Sequence, residues 1–264
     1  MHIDLSGTTA VVSGSTQGIG LAIVRGLAGA GSAVVLNGRS QATVERAVAS
    51  VENDVPGASV RGVAADLATV EGAEQLLSAV PSCDILVNNL GIFDPKPFLE
   101  IDDDEWLRFF QINVMSGIRL SRAYLPGMID KGWGRVVFVS SESALQIPPE
   151  MMHYGMTKTA QLAISRGLAE FCAGTGVTVN SILPGPTASE GVSEFVWKMG
   201  AQEGQTQQEA TDEFVRVHRP TQLLRRAATP DEVAAMAVYL CSRQASATTG
   251  SSVSVDGGTR RSIV

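Results

Sequence analysis

Aromatic residues are scarce in this chain. They make up 5% of 264 residues, so a core has to rest on Val, Leu, Ile and Ala, which supply most of the 44% hydrophobic content. Histidine and cysteine are scarcer still. His2, His153 and His218 are scattered, as are Cys83, Cys172 and Cys241, and no C-x-x-C spacing occurs. This argues against a disulfide framework and against a metal site. Basic charge is not in excess: 20 Lys and Arg stand against 27 Asp and Glu, a net charge of −7, where a nucleic-acid binder normally carries a basic patch. No apolar run approaches the roughly 20 residues of a membrane span. The first residues, MHIDLSG, lack the basic start and apolar middle of a signal peptide. There is no internal repeat, low-complexity tract or Pro/Gly/Ser linker. What these absences leave is the expectation of a single cytoplasmic domain over residues 1–264, with a small-molecule partner and neither nucleic acid nor membrane.

What is present is a regular alternation. Short β-branched runs occur at TAVVSG (8–14), SAVVLNG (32–38), ASVRGVA (58–64), CDILVNN (83–89), GRVVFVS (134–140), VTVNSIL (177–183) and SVSVDGG (252–258). Stretches with helical spacing separate them, at 18–30, 41–52, 70–79, 103–130, 153–173 and 230–242. Most of the runs are apolar on successive residues, the pattern of strands buried on both faces. Seven such strands alternating with helices predict an α/β doubly wound Rossmann fold, a seven-stranded parallel sheet with helices on both faces. Residues 186–229 lack strand signals and predict helical pieces forming a substrate lid, with Phe195 and Trp197 as candidate anchors.

The first strand runs directly into SGSTQGIG, with Gly14, Gly18 and Gly20 spaced G-x-x-x-G-x-G. Glycine permits a tight turn and close backbone approach, and the N-terminus of the helix that follows suits a pyrophosphate. The plain alternative is an ordinary strand-to-helix turn, but the context is the one a dinucleotide site needs. Ser15, Gln17 and Ile19 belong to the same candidate turn. The second strand ends VVLNGRS, without the carboxylate that often binds the ribose 2′-OH. Asn37 and Arg39 stand there instead, and an arginine supplies a bidentate donor for a 2′-phosphate. NADP(H) is therefore the expected cofactor in preference to NAD(H).

Tyr154 and Lys158, in YGMTK, lie four residues apart and share one face of a helix. Alone, the pair reads as a boundary tyrosine and a solvated lysine. Four further features change that reading: NNLG (88–91) after the fourth strand, Asn113 interrupting an amphipathic helix, Ser141 thirteen residues before Tyr154, and LPGPTASEG (183–191) after the sixth strand. All but Asn113 fall at the carboxyl ends of strands, where open α/β sheets bind ligands.

Together these motifs resemble the short-chain dehydrogenase/reductase family in its shorter, single-domain form, and within it the 3-oxoacyl-ACP reductase-like oxidoreductases. The resemblance spans essentially the whole chain. It implies that Tyr154, Lys158, Ser141 and Asn113 are catalytic, and that Gly14, Gly18 and Gly20 bind the pyrophosphate. It further implies that Asp66, with Leu67, meets the adenine, that Asn88 and Gly91 line the cofactor cleft, and that Pro184, Gly185 and Thr187 lie beside the nicotinamide. Leu90 and Ser13 depart from the family's usual alanine and threonine.

The implied chemistry is hydride transfer between NADP(H) and a carbonyl or secondary alcohol, with Tyr154 as general acid/base. Lys158 would lower the tyrosine's pKa, Ser141 would orient the substrate oxygen, and Asn113 would hold a water near Lys158. Ser140 and Ser143 compete for the serine role. His153 points away around the helix, and Gly155, Met156 and Thr157 have no role beyond helix packing. Gln146, Met151 and Met152 are candidate pocket lining, which suggests a moderately apolar substrate. DDDE (102–105) reads as a helix cap. A homotetramer, or a dimer, is expected through helix 230–242 and the last strand. The alternatives are a 3-oxoacyl thioester (ACP or CoA) reductase and a non-catalytic NADP-binding sensor.

Overall fold

The structure is a computed structural model and describes residues 2–189, 205–261 and 263. Phe195 and Trp197 lie outside these residues.

Seven parallel strands form one sheet: β1 (Thr9–Val12), β2 (Ala33–Gly38), β3 (Val60–Ala64), β4 (Ile85–Asn88), β5 (Gly134–Val139), β6 (Val177–Pro184) and β7 (Ser252–Val255). Their order is β3-β2-β1-β4-β5-β6-β7. The chain therefore winds outward in one direction from β1 and, after crossing back, in the other from β4. Between β1 and β4 a crevice opens at the carboxyl ends of the strands.

The runs of successive apolar residues are explained by the two faces. Ala10, Val12, Val34, Leu36, Ile85, Val87, Val137, Val139 and Ile182 point into one core. That core is closed by α1 (Gly18–Gly29), α2 (Gln41–Asp54) and a helix at Pro230–Cys241. Val11, Val35, Val63, Leu86, Val136, Phe138 and Val179 point into the other, against α3 (Val70–Ala79), α5 (Ser116–Lys131) and α6 (Met152–Phe171). Alternation along each strand thus feeds both layers, as buried parallel strands require.

The long helical stretch predicted over 103–130 is divided. α4 (Asp103–Phe110) leads into a π-helical turn at Gln111–Met115, which continues as α5. Asp102 caps α4, its carboxylate accepting from Glu105 N at 2.8 Å, so the acidic run is the predicted cap. Between β6 and β7 lie α7 (Gln207–His218), which opens with a Thr206/Glu209 capping box, and α8 (Pro230–Cys241), which opens with a Thr229/Glu232 one. The buried residues of α8, Val233, Ala234, Ala237, Leu240 and Cys241, belong to the same core as α1. These five side chains pack within the chain, while Met236, Val238 and Tyr239 of the same helix stay half-buried. No helix among the described residues is long and apolar enough to cross a membrane.

Candidate active site

The glycine-rich turn follows β1 directly. Gly14 takes a left-handed φ of 58°, and a Cβ there would come within 2.9 Å of the Leu90 backbone. A Cβ on Gly20 would meet Asn89 Nδ2 at 2.5 Å and Ser15 Cα at 2.8 Å. Both positions therefore require glycine for close approach of β1 and β4. No side chain caps α1, and its first turn holds no acidic residue. Side chains cap α3, α4, α7 and α8, whereas α2, α5 and α6 lack such a cap, as α1 does. An uncapped N-terminus beside the sheet's switch point suits a phosphate group, so the residues present fit a dinucleotide.

Several side chains of the predicted cofactor set turn inward instead. Ser15 is buried, donates to Val12 O at 2.7 Å and accepts from Asn37 N at 3.0 Å. Asn37 accepts from Gly14 N at 3.2 Å and donates to Val63 O at 3.1 Å and Ala65 O at 3.0 Å. Its amide staples β1, β2 and β3 together, so that side chain is not available for a ligand. Asn88 likewise donates to Ser121 Oγ at 3.1 Å and packs on α5. The asparagine that reaches the turn is its neighbour Asn89, which donates to Ser13 O at 3.0 Å and Gly14 O at 2.8 Å and lines the cleft. Gln17, Arg39 and Asp66 are exposed at the rim, and Leu67 is buried beneath it.

The reacting end of the cleft is a cavity of about 210 Å³. Ile19, Gly91, Ser141, Tyr154, Lys158, Pro184, Gly185 and Thr187 of the predicted set line it. Ser140 donates to Lys158 O at 2.9 Å and so anchors α6. Ser143 donates to Glu142 Oε2 at 2.6 Å. Ser141 lines the cavity together with Tyr154, whose pKa it lowers, and its Oγ accepts from Ser143 N at 3.1 Å. The spacing argument for Ser141 over its neighbours therefore agrees with the geometry.

Tyr154 corrects one expectation. Burial, the largest cause, pushes its pKa up to about 12, with a smaller push from Glu142; the Ser141 hydrogen bond and Arg219 pull it down by less. Burial drives Lys158 itself down to about 7, so at neutral pH it is not a permanent cation. Its Nζ lies 5.6 Å from the Tyr154 ring centroid and donates to Val139 O at 3.0 Å and Gln161 Oε1 at 3.3 Å. A Cβ on Gly91 would sit 3.2 Å from Nζ, which explains the glycine there.

Asn113 does not line the cavity. It is held in the π-turn by Ile92, whose N donates to Oδ1 at 2.7 Å and whose O accepts from Nδ2 at 3.0 Å, and by Thr157 Oγ1 at 3.0 Å. The Asn113 carbonyl accepts from Gln161 Nε2 at 2.5 Å. One buried amide thus joins Asn113 to Lys158 directly. Gln161 was missed at the sequence level, although its place on the Tyr154–Lys158 face, at i+7 and i+3, was a readable signal. Thr157 also gains a role, holding Asn113, and Gly155 another: a Cβ there would meet Ile147 at 2.6 Å and Ser143 O at 3.1 Å.

His153 is buried against Phe109 and Trp106, away from the cavity. Met151 lines the cavity with Phe93 and Phe214, whereas Gln146 and Met152 are exposed. The described wall is mixed: Ile19, Phe93, Val139, Met151 and Phe214 are apolar, and Glu142 and Arg219 stand in it as an ion pair at 2.9 Å.

Known proteins resemble this chain over nearly its whole length. A family model described as Enoyl-(Acyl carrier protein) reductase matches residues 14–260. The chain is 46% identical over 263 residues to an uncharacterized oxidoreductase, YvaG, of Bacillus subtilis (strain 168), covering 100% of both. It is 32% identical to dehydrogenase/reductase SDR family member 4 of Rattus norvegicus, over 97% of this chain and 88% of that one. Among solved structures, L-sorbose reductase from Gluconobacter frateurii, complexed with NADPH and L-sorbose, superimposes with a TM-score of 0.90 at 31% identity, covering 100% of both chains.

Proposed function

The chain belongs to the short-chain dehydrogenase/reductase family, and from that premise we propose that it is an NADP(H)-dependent oxidoreductase interconverting a carbonyl and a secondary alcohol. The observation that carries the reading is that Ser141, Tyr154 and Lys158 line one cavity at the carboxyl ends of the strands. The bound dinucleotide supplies the hydride. Tyr154, held as a phenol far above neutral pH, donates its proton to the substrate oxygen. Ser141 donates a second hydrogen bond to that oxygen and fixes its position. Lys158 is fixed beside Tyr154 by Gln161, which is itself held by the Asn113 carbonyl.

Arg39 gives the cofactor preference, and the NADPH-bound relative supports it. Arg39→Ala is expected to raise the KM for NADPH by roughly 10-fold to 100-fold, the scale of a charge-assisted pair, and to leave that for NADH within about threefold. The thioester reading draws support from the family model's description, but the net charge of −7 offers no basic face for an acidic carrier. The sensor reading is disfavoured by the presence of all four catalytic groups. A homotetramer in the cytoplasm remains the expected setting.

The function is tested by following NADPH absorbance with a panel of ketones, 3-oxoacyl thioesters, quinones and sugars, using both cofactors. Consumption on a ketone or sugar is expected. No consumption on any carbonyl, with NADPH still bound, contradicts the enzyme reading.

Gln161→Leu is expected to lower kcat about tenfold, since it takes the side-chain partner from the buried Asn113 carbonyl and leaves the Lys158 amine with Val139 O alone, worth ~1–3 kcal/mol. It also removes an acceptor that favours the charged lysine, so the Lys158 limb of the pH profile moves down; Gln161→Glu moves it up. A purely structural glutamine would change stability and leave that limb in place.

A further inference from the structure

The ion pair in the cavity has no part in the chemistry above. Glu142 follows Ser141, and Arg219 follows the end of α7, so the pair joins the catalytic loop to the lid side. Its side chains are 4% and 12% exposed, with Arg219 Nε donating to Glu142 Oε1 at 2.9 Å. Ser143 Oγ donates to the other carboxylate oxygen at 2.6 Å, and Arg219 Nη1 donates to His218 O at 2.9 Å. The Arg219 guanidinium also lies 5.8 Å from the Phe214 ring centroid. Glu142 and Arg219 line the same cavity as Ser141 and Tyr154, so the pair faces the space where the substrate reacts.

A buried ion pair is rarely needed for stability, because well-packed apolar residues of similar volume often serve the fold as well. Its value in a cleft is that it offers an acceptor and a donor side by side. The carboxylate has about four lone-pair sites and the guanidinium five N–H groups, and the described partners use only part of each. The charges cancel. An anionic substrate would meet Glu142, a cationic one would meet Arg219, and an apolar one would leave both unmatched. A neutral chain of hydroxyl groups matches both, since each hydroxyl donates to the carboxylate and accepts from the guanidinium.

We propose that Glu142 and Arg219 form the subsite that binds hydroxyl groups next to the reacting carbonyl, and that the substrates are neutral polyhydroxylated ketones and the corresponding polyols. This rests on the oxidoreductase reading and names the substrate class of the same cavity. A site built to hydrogen-bond a substrate hydroxyl discriminates strongly against an analogue that lacks it, because its own buried polar groups are then unpaired.

The test compares three ketones on one six-carbon skeleton with NADPH: a neutral ketohexose, the oxo-hexonic acid and the unhydroxylated hexanone. In the wild type, kcat/KM for the ketohexose should exceed the other two by at least about 100-fold. In the double variant Glu142→Leu/Arg219→Leu the ratio of ketohexose to hexanone should fall to within about tenfold, with the thermal midpoint shifted by only a few degrees. Should the double variant not fold, Glu142→Gln serves instead and should lower the same ratio by at least about tenfold. Preference of the wild type for the hexanone or the oxo acid overturns the proposal, as does an unchanged ratio in a folded variant. Both outcomes leave the oxidoreductase reading standing. That reading fails separately, if the wild type consumes NADPH with none of the three, nor with thioesters or quinones.

Discussion

Replacing Tyr154 by phenylalanine is expected to lower kcat for ketone reduction by about 10²-fold to 10⁴-fold, the usual contribution of a positioned general acid. The ring remains, so its edge contact with Phe93 at 6.2 Å is kept and the cavity stays filled. The loss is confined to the proton. KM for NADPH should stay within about threefold, since only an interaction made in the transition state is removed. Steady-state kinetics on the best ketone of the panel measures both. Retention of most of the turnover would take the acid role from Tyr154 and with it the mechanism.

Lys158→Met should cost at least about 100-fold in kcat/KM for NADPH and should also flatten the pH profile. Burial lowers the lysine from its ordinary 10.5 to about 7. Its cation is present below that value and lost above it. In the wild type, kcat/KM should therefore fall about tenfold per pH unit beyond about 7, while the tyrosine stays protonated throughout this range.

The same shift acts on stability. Between about 7 and 10.5 the unfolded chain binds the lysine proton more tightly than the folded one, so folded stability rises with pH across that window. Tyr154 acts in the opposite direction. Its folded pKa is raised from 10.0 to about 12, so its contribution is complete below 10 and is lost as the pH climbs toward 12. Thermal melts from pH 7 to 9.5 should show a rising midpoint for the wild type and a flatter one for Lys158→Met. Equal slopes would mean that the lysine is not desolvated in the free protein.

The sheet was legible because buried parallel strands write themselves as successive apolar residues, and Val11 and Val12 serve opposite cores in just that way. The Ser141–Tyr154–Lys158 set was legible through the family resemblance, because spacing alone left Tyr154 and Lys158 a boundary tyrosine and a solvated lysine on one helix face. The side-chain direction of Asn37 and Asn88 was not. Whether a polar residue at a strand end faces a ligand or a neighbouring strand depends on the three-strand register, which no local pattern carries. The π-turn at Asn113 was hidden for a similar reason, because inserting one residue into a helix leaves its sequence period almost unchanged. The direction of the Tyr154 shift was missed because proximity to a lysine was legible and depth was not, and depth decides here.

The central claim is that this cavity transfers hydride between a nicotinamide and a carbonyl carbon with Tyr154 as acid. The most direct measurement uses NADPH deuterated at C4 with a ketone from the panel and mass analysis of the alcohol. The account predicts one deuterium on the new carbinol carbon, formed by the wild type and at least about 100-fold more slowly by Tyr154→Phe. Alcohol formed without the label, or labelled equally fast by the variant, would contradict it.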